Sequence, residues 1–330
     1  MNVKSAAIAV AAALVLACAL PVSGQVNYGG YLAFEYIKGQ AESPYPHGNF
    51  ENLLAGFLAA GAIGQKFGFT AEVAAHGVDT FALNQAWAAF APSETFTVRA
   101  GLYLVPFGAW NTASRPHETV LVRAPLNLEY LYPPNWRDVG LLVEGRIGVL
   151  TYAGYLGNGL AEGEEEIFAQ QFRDNNTHKS LGGRIGILAG QAIRAGVSYY
   201  TGKYDDQDMR DLTLEGADLS WVTPQWEIHG EYTKALIENP QPFERGESEG
   251  WFIWACMSFK SFQPVGSYQK FELTDGYHGG GLTIDRSRWT AGVRVVLGPS
   301  LFIKAEYDWN KEKLTALKDN QWQVQVGLSF

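Results

Sequence analysis

The chain has 330 residues and a formal charge of −9, with only 18% charged residues against 37 glycines, 10 Trp, 16 Tyr and 18 Phe. An acidic chain without a basic cluster argues against a nucleic-acid partner. After residue 24 no run approaches the roughly 20 apolar residues of a spanning helix. No phosphate-cradling glycine loop and no Cys/His ligand spacing is present, so neither a cofactor nor a metal is expected.

Met1 to Gly24 carries Lys4, an apolar stretch from Ala6 to Leu20, and the small-residue end Pro21-Val22-Ser23-Gly24. This is the order of a secretory signal. Leu16, two places before Cys18, disfavours the rival reading of a lipoprotein signal. Removing the segment takes away Lys4 and shifts the charge from −9 to −10. It leaves one cysteine, Cys256, and therefore no intrachain disulfide.

The remainder, residues 25–330, reads as a series of strands with a period of two. From Val26 to Lys38, Tyr28, Leu32, Phe34 and Tyr36 occupy one face and Asn27, Ala33 and Glu35 the other. Further strands are expected at Phe50–Ala60, Lys66–His76, Phe81–Ala91 and Thr95–Val105. A long gap, Pro106 to Arg137, precedes Asp138–Arg146 and Val149–Leu156. An acidic loop from Gly157 to His178 then leads to Lys179–Leu188, Ala192–Lys203, Arg210–Trp221 and Trp226–Leu236. Gly250–Lys260, Val265–Leu273, Arg286–Leu297 and Leu301–Glu312 follow. Gly182-Gly183 and Gly29-Gly30 lie inside strands, where glycine relieves crowding as a wall bends.

The sixteenth segment, Gln321 to Phe330, alternates without a fault. Trp322, Val324, Val326, Leu328 and Phe330 form one face and the glutamines, Gly327 and Ser329 the other. Chain ends fray unless something ties them down, and this one resembles the closing strand of bacterial outer-membrane barrels. The links alternate between short turns and usually longer loops, and the strand number is even, as in barrels with one periplasmic and one outer rim. In hydrocarbon every backbone amide needs a partner, which only a closed sheet supplies without an edge. The expectation is an all-β, transmembrane antiparallel barrel of about sixteen strands in the bacterial outer membrane. Its outer face would be lipid-adapted, as with Trp289, Ala291, Val293 and Val295 opposite Arg288, Thr290, Gly292 and Arg294. Trp251 to Met257 is apolar on both faces, which suggests that one face packs under a loop or a neighbouring subunit.

Several short segments resemble landmarks of the porin O and P family, the phosphate-selective porins. They are Leu102-Tyr103-Leu104-Val105-Pro106-Phe107-Gly108, Gly157-Asn158-Gly159, Asp174-Asn175-Asn176 ahead of Gly182-Gly183-Arg184, and Phe262-Gln263-Pro264-Val265. The resemblance implies a homotrimeric porin passing small hydrophilic solutes, among them anions such as phosphate.

A sixteen-stranded barrel leaves a lumen that a loop can narrow. The segment from Pro106 to Arg137 is too long and too apolar for a solvated loop, so it is expected to fold inward. Arg115, His117, Glu118 and Arg123 would then stand near the narrowest point, with Asn111 on the same constriction loop. Inward polar positions would add Lys66, Arg99, Arg146, Arg184, Arg194, Arg288, Arg294 and Lys304. Against them stand Glu72, Glu144, Glu227, Glu231, Glu306 and Asp308. Arginine matches phosphate and carboxylate oxygens in pairs, so Arg99, Arg184, Arg194 and Arg294 form a candidate anion ladder. The competing expectation is that arginines pair with Glu72, Glu144 and Glu231 and stiffen the wall. The run Glu162 to Glu166 reads as a solvated outer loop or a divalent-cation contact. His229 lies between Glu227 and Glu231 on one face, but no nucleophile elbow accompanies it. The expectation is a channel rather than an enzyme, with a surface adhesion barrel as the rival.

Overall fold

In the computed structural model the described residues are 26–77, 80–163, 167–276 and 282–330. The expected signal, Met1 to Gly24, lies outside them, as do Glu164, Glu165 and Glu166. The wall begins with β1 (Val26–Gly39), β2 (Asn49–Ile63), β3 (Phe67–His76), β4 (Thr80–Ser93) and β5 (Phe96–Leu104). A long loop containing the short helix α1 (Leu126–Tyr130) leads to β6 (Arg137–Ile147) and β7 (Leu150–Gly157). A small hairpin, β8 (Leu160–Glu162) and β9 (Phe168–Gln170), stands apart from the wall. The wall resumes with β10 (Ser180–Ala189), β11 (Ile193–Lys203), β12 (Asp211–Val222) and β13 (Trp226–Ile237). It ends with β14 (Gly246–Met257), β15 (Phe262–Gly276), β16 (Leu282–Leu297), β17 (Leu301–Glu312) and β18 (Gln321–Ser329).

Each wall strand pairs antiparallel with its neighbours, and β1 pairs with β18 to close a sixteen-stranded barrel. The joint runs from Tyr31 opposite Ser329 to Gly39 opposite Gln321. Beyond it, Phe330 and Gly30 exchange two backbone hydrogen bonds (2.9 and 3.0 Å), so the last residue cannot fray. Its ring is exposed on the outside rather than covered by protein.

The alternation sets two surfaces. On β18 Gln321, Gln323 and Gln325 are buried inward, while Trp322 is exposed and Val324 and Val326 are partly exposed on the outside. Ile185, Val197, Leu219 and Trp289 also stand more than half exposed on the outer face. A soluble monomer does not carry so continuous an apolar surface; a lipid-facing barrel requires it. Aromatic girdles bound the band. Toward the loop rim Tyr36 meets Phe50 and Trp322 (5.0 and 5.2 Å between ring centres), and Tyr268 meets Trp251 and Trp289 (5.3 and 4.4 Å). Toward the short-turn rim Phe67 meets Phe90 (5.2 Å) and Tyr28 meets Phe57 (5.9 Å).

Two glycines have a more specific reason than relief of a bend. The ring of Tyr31 lies where a Cβ at Gly56 would stand, and Tyr155 fills the same space at Gly182. In each case an inward aromatic lies across a neighbouring strand's bare backbone.

Candidate functional site

The inner wall is divided. On β5, β7, β11, β14 and β15 buried aromatics face the lumen: Tyr103, Tyr155, Tyr200, Phe252, Trp254 and Phe271. Around the remaining arc, β16 to β18 and on through β1 to β4, polar side chains predominate among the inward positions, with Tyr31, Ile37 and Phe302 as apolar exceptions. Arg288, Lys304, Glu306, Asp308, Gln323 and Glu72 are among the polar ones, each at most 5% exposed. What covers both arcs is the loop of residues 105–136.

The two stems of the loop pack on the apolar arc. Phe107 meets Tyr132 and Trp136 (5.9 and 5.8 Å), Trp136 meets Tyr200 (5.0 Å), and Trp110 meets Phe252 (5.8 Å). Backbone amides left over from the irregular chain find acceptors on inward wall residues. Gly108 donates to Ser198 (3.1 Å), Ala109 and Trp110 to Glu231 (2.9 and 3.2 Å), and Leu126 to Gln269 (3.1 Å). Gly108 has a φ of +65°, and the Glu231 carboxylate occupies the place of a Cβ, so glycine is required there. Asn111 closes the base: its Nδ2 donates to the carbonyls of Val105 and Trp136, and its Oδ1 accepts from the Trp136 amide. From outside, Ile167 and Phe168 of the β8–β9 hairpin donate to the carbonyls of Tyr130 and Leu131 (2.8 and 3.0 Å).

The tip is held differently. Arg115 grips Glu72 with Nη2 and Nε (2.6 and 3.2 Å) and Glu118 with Nη1 (2.9 Å). Arg294 donates to the His117 carbonyl (2.8 Å), and Lys304 to Thr119 Oγ1 and the Leu121 carbonyl (2.9 and 3.1 Å). Glu306 accepts the amides of Val122 and Arg123 (2.9 and 3.1 Å). Arg123 and Arg288 both reach Glu129 (2.7 Å each). Burial alone would raise the Glu129 carboxyl, but these two guanidiniums hold it below its ordinary value. Burial depresses His117, whose ring lies 5.6 Å from that of Tyr31.

Magnitudes separate the two parts. Seven buried apolar side chains of the stems (Phe107, Trp110, Leu126, Leu128, Leu131, Tyr132 and Trp136) contribute about 1.5–3 kcal/mol each. A hydrogen bond to a charged group contributes about 1.5–3 kcal/mol, and a buried pair loses much of its gain to desolvation. The stems are therefore the firmer attachment.

The sequence-derived residues distribute unevenly over this frame. Arg115, His117 and Glu118 come together on the loop and line one cavity, whereas Arg123 stands apart on Glu129 and Asp308. Asn111 does not face the opening; it clamps the loop's base and is buried. Lys66 is exposed in the turn before β3, at the rim rather than on the wall. Arg146, near the end of β6, donates to the Gly148 carbonyl (2.8 Å) at the same rim. Arg99 pairs with Glu144 and lies 4.4 Å over the ring of Trp87. Arg184 grips Asp218 (2.6 and 3.1 Å). The anion ladder is thus interrupted: Arg99 and Arg184 face carboxylates, Arg294 straps the loop, and Arg194 alone stands exposed in a cavity wall. Of the expected carboxylate partners Glu72 and Glu144 do pair with arginines, whereas Glu231 serves loop amides.

β14, apolar on both sides, is explained by the loop. Trp251 and Ile253 face outward, while Phe252, Trp254 and Cys256 are buried within. The His229 ring is stacked between Phe252 and Trp254 (5.8 and 5.6 Å), and its Nδ1 lies 2.6 Å from Ser220 Oγ on the paired strand β12. Gln269, Thr233, Ser198 and Asp218 were not foreseen as partners of loop or wall. Their inward parity was readable, but not what they would meet.

Below the loop, on the short-turn side, lies a cavity of about 330 Å³ lined by Arg184, Arg194, Asp218, Ser220, Glu227 and His229. It ends beneath Thr112, Glu118 and Thr119. Beside it Arg99, Glu144 and Arg146 line a further cavity of about 500 Å³. Among the described residues no cluster of His, Cys, Asp and Glu is arranged to hold a metal.

No family model matches the chain. An uncharacterized protein of Aquifex aeolicus is 23% identical over 221 residues, covering 62% of this chain. The match spans about half (51%) of that relative's length. Among solved structures, Salmonella typhi OmpF in complex with daunomycin superposes with a TM-score of 0.70 at 11% identity, covering 94% of this chain and 99% of that one. The anion-selective porin from Comamonas acidovorans gives 0.68 at 12% identity (93% and 99%). OmpT of Vibrio cholerae, in its trimer form, gives 0.66 at 10% identity (93% and 99%). The chain therefore has the fold of bacterial outer-membrane porins, and with its apolar outer surface it belongs in that membrane.

Proposed function

We propose that the chain is an outer-membrane channel for passive diffusion of small hydrophilic solutes, assembled as a homotrimer. The observation that carries this reading is the loop strapped across the lumen by inward polar side chains, with the polar cavity of about 330 Å³ directly beneath it. Solutes would meet the loop first and the cavity second. The trimer rests on the sequence resemblance.

Charge at the narrowing sets selectivity. Arg99, Arg115, Arg123 and Arg184 each face a carboxylate and cannot draw an anion without losing that partner. The selectivity we assign is accordingly weak, with phosphate one permeant among others. Arg146 and Arg194 supply such anion preference as there is, offset by Glu94 and Glu227 in the same cavity walls. Purified protein in planar bilayers should give discrete conductance steps and a reversal potential within a few millivolts of zero in a salt gradient. A strongly anion-directed reversal would restore a dedicated phosphate filter. Bilayers that stay silent with purified, folded protein, including protein lacking Ser114 to Leu121, would remove the channel reading.

A further inference from the structure

We infer that the cavity of about 330 Å³ below the loop is a binding site for small zwitterions of the α-amino-acid type, with Arg194 taking the carboxylate and Glu227 the ammonium group. The inference rests on the channel reading for the solute's access and deepens it, naming a solute class where that reading names only size and polarity.

Three observations carry it. The sheet register sets Arg194 of β11 opposite Ser220 of β12, Ser220 opposite His229 of β13, and His229 opposite Trp254 of β14, and all four line the cavity. Glu227 lines it too, two residues from His229 on the same face. Two strand spacings and two residues along the chain separate Glu227 from Arg194, roughly 12 Å between Cα atoms. Second, these two charges are unmatched. Arg99 and Arg184 are each held by a carboxylate, whereas among the described residues neither Arg194 nor Glu227 forms an ion pair, although Glu227 lies in the electric field of Arg194. Finally, His229 Nε2, 4.0 Å from Glu231, and Trp254 Nε1 are buried without a hydrogen-bond partner. Protein interiors leave few polar atoms in that state, and a bound polar solute would supply partners.

The charges select the class of solute. A simple anion drawn to Arg194 also meets Glu227 and the Asp218 carboxylate, and a simple cation drawn to Glu227 also meets Arg194 and Arg184. A solute carrying both charges a few ångströms apart satisfies the unmatched pair and opposes neither member. Arginine takes a carboxylate through two parallel hydrogen bonds, and an ammonium group brings three donors to Glu227. At about 330 Å³ the cavity stands at the small end of ligand sites, ~300–1,000 Å³, which suits one amino acid rather than a larger solute. Binding in a channel must be weak enough for the solute to leave, so millimolar affinity is expected.

Saturation-transfer NMR on the purified, folded protein in detergent tests this without passing through conductance. L-alanine should give a saturable signal at millimolar concentration. Propionate and ethylammonium, which each lack one of its charges, should bind at least tenfold more weakly. Arg194→Gln and Glu227→Gln should each weaken L-alanine binding at least tenfold at unchanged melting temperature, since neither side chain has an ion-pair partner to lose. Glu227→Gln should also bind propionate more tightly than the wild type, an effect that a merely structural role would not produce. Equal signals from the three solutes, no signal from any of them, or wild-type affinity in both variants would overturn the site and leave the channel reading intact. Selective L-alanine binding by protein that stays silent in planar bilayers would support the site and count against the channel instead.

Discussion

The two arcs of the inner wall hold one loop by opposite means. From β5 to β15 the wall offers rings, and the loop's stems answer with Phe107, Trp110, Tyr132 and Trp136. From β16 round to β4 it offers charges and amides, and the tip answers with Arg115, Arg123 and bare backbone groups. Apolar packing has no partner to exchange with inside a barrel, whereas each polar contact can be replaced by water or solute. One arc therefore fixes where the loop sits, and the other holds its tip by contacts that water can replace.

Truncating the apolar arc should have the largest effect. Trp136→Ala leaves a cavity among Phe107, Tyr132 and Tyr200 and should cost about 3–5 kcal/mol. It should lower the melting temperature in detergent, and an unchanged melt would mean that the stems are not the anchor. On the polar arc Glu306→Ala strands the amides of Val122 and Arg123, for about 1–3 kcal/mol each if they remain buried. A smaller loss accompanied by increased conductance would show water taking up the amides, as the comparison demands.

Acid should act on the same side. Glu129 has its folded value depressed by Arg123 and Arg288, so its stabilising contribution is present above the ordinary value of 4.5 and is lost as pH falls through the folded value. The melting temperature in detergent should therefore fall as pH drops below 4.5, and Glu129→Gln should reduce that acid sensitivity. Removing a cation in the cavity should do least. Arg194→Ala should move the reversal potential a few millivolts toward cations and leave the melt unchanged.

The wall was legible because a period of two is local: each strand states its own faces, and closure follows from an even count and a tied end. Strand limits were found within a few residues, as with Arg210–Trp221 against the observed Asp211–Val222. The hairpin β8–β9 and helix α1, three and five residues long, are too short to leave a period. The loop's path was illegible for a different reason. Its acceptors lie far off in sequence, Glu306 being 184 residues from Val122, and nothing near Val122 names that partner. Asn111 lies on that loop as its position suggests, but only the fold reveals that its three hydrogen bonds to the loop's own backbone make it a clamp at the base. Parity along a strand does not reveal that a carboxylate waits opposite Arg99 or Arg184.

The most direct measurement is single-channel conductance of the wild type beside protein lacking Ser114 to Leu121, each folded and inserted. If the loop roofs a solute path through the lumen, the deleted protein gives larger and longer openings. Identical conductance in the two would mean that ions pass elsewhere, contradicting the placement of the barrier on the loop.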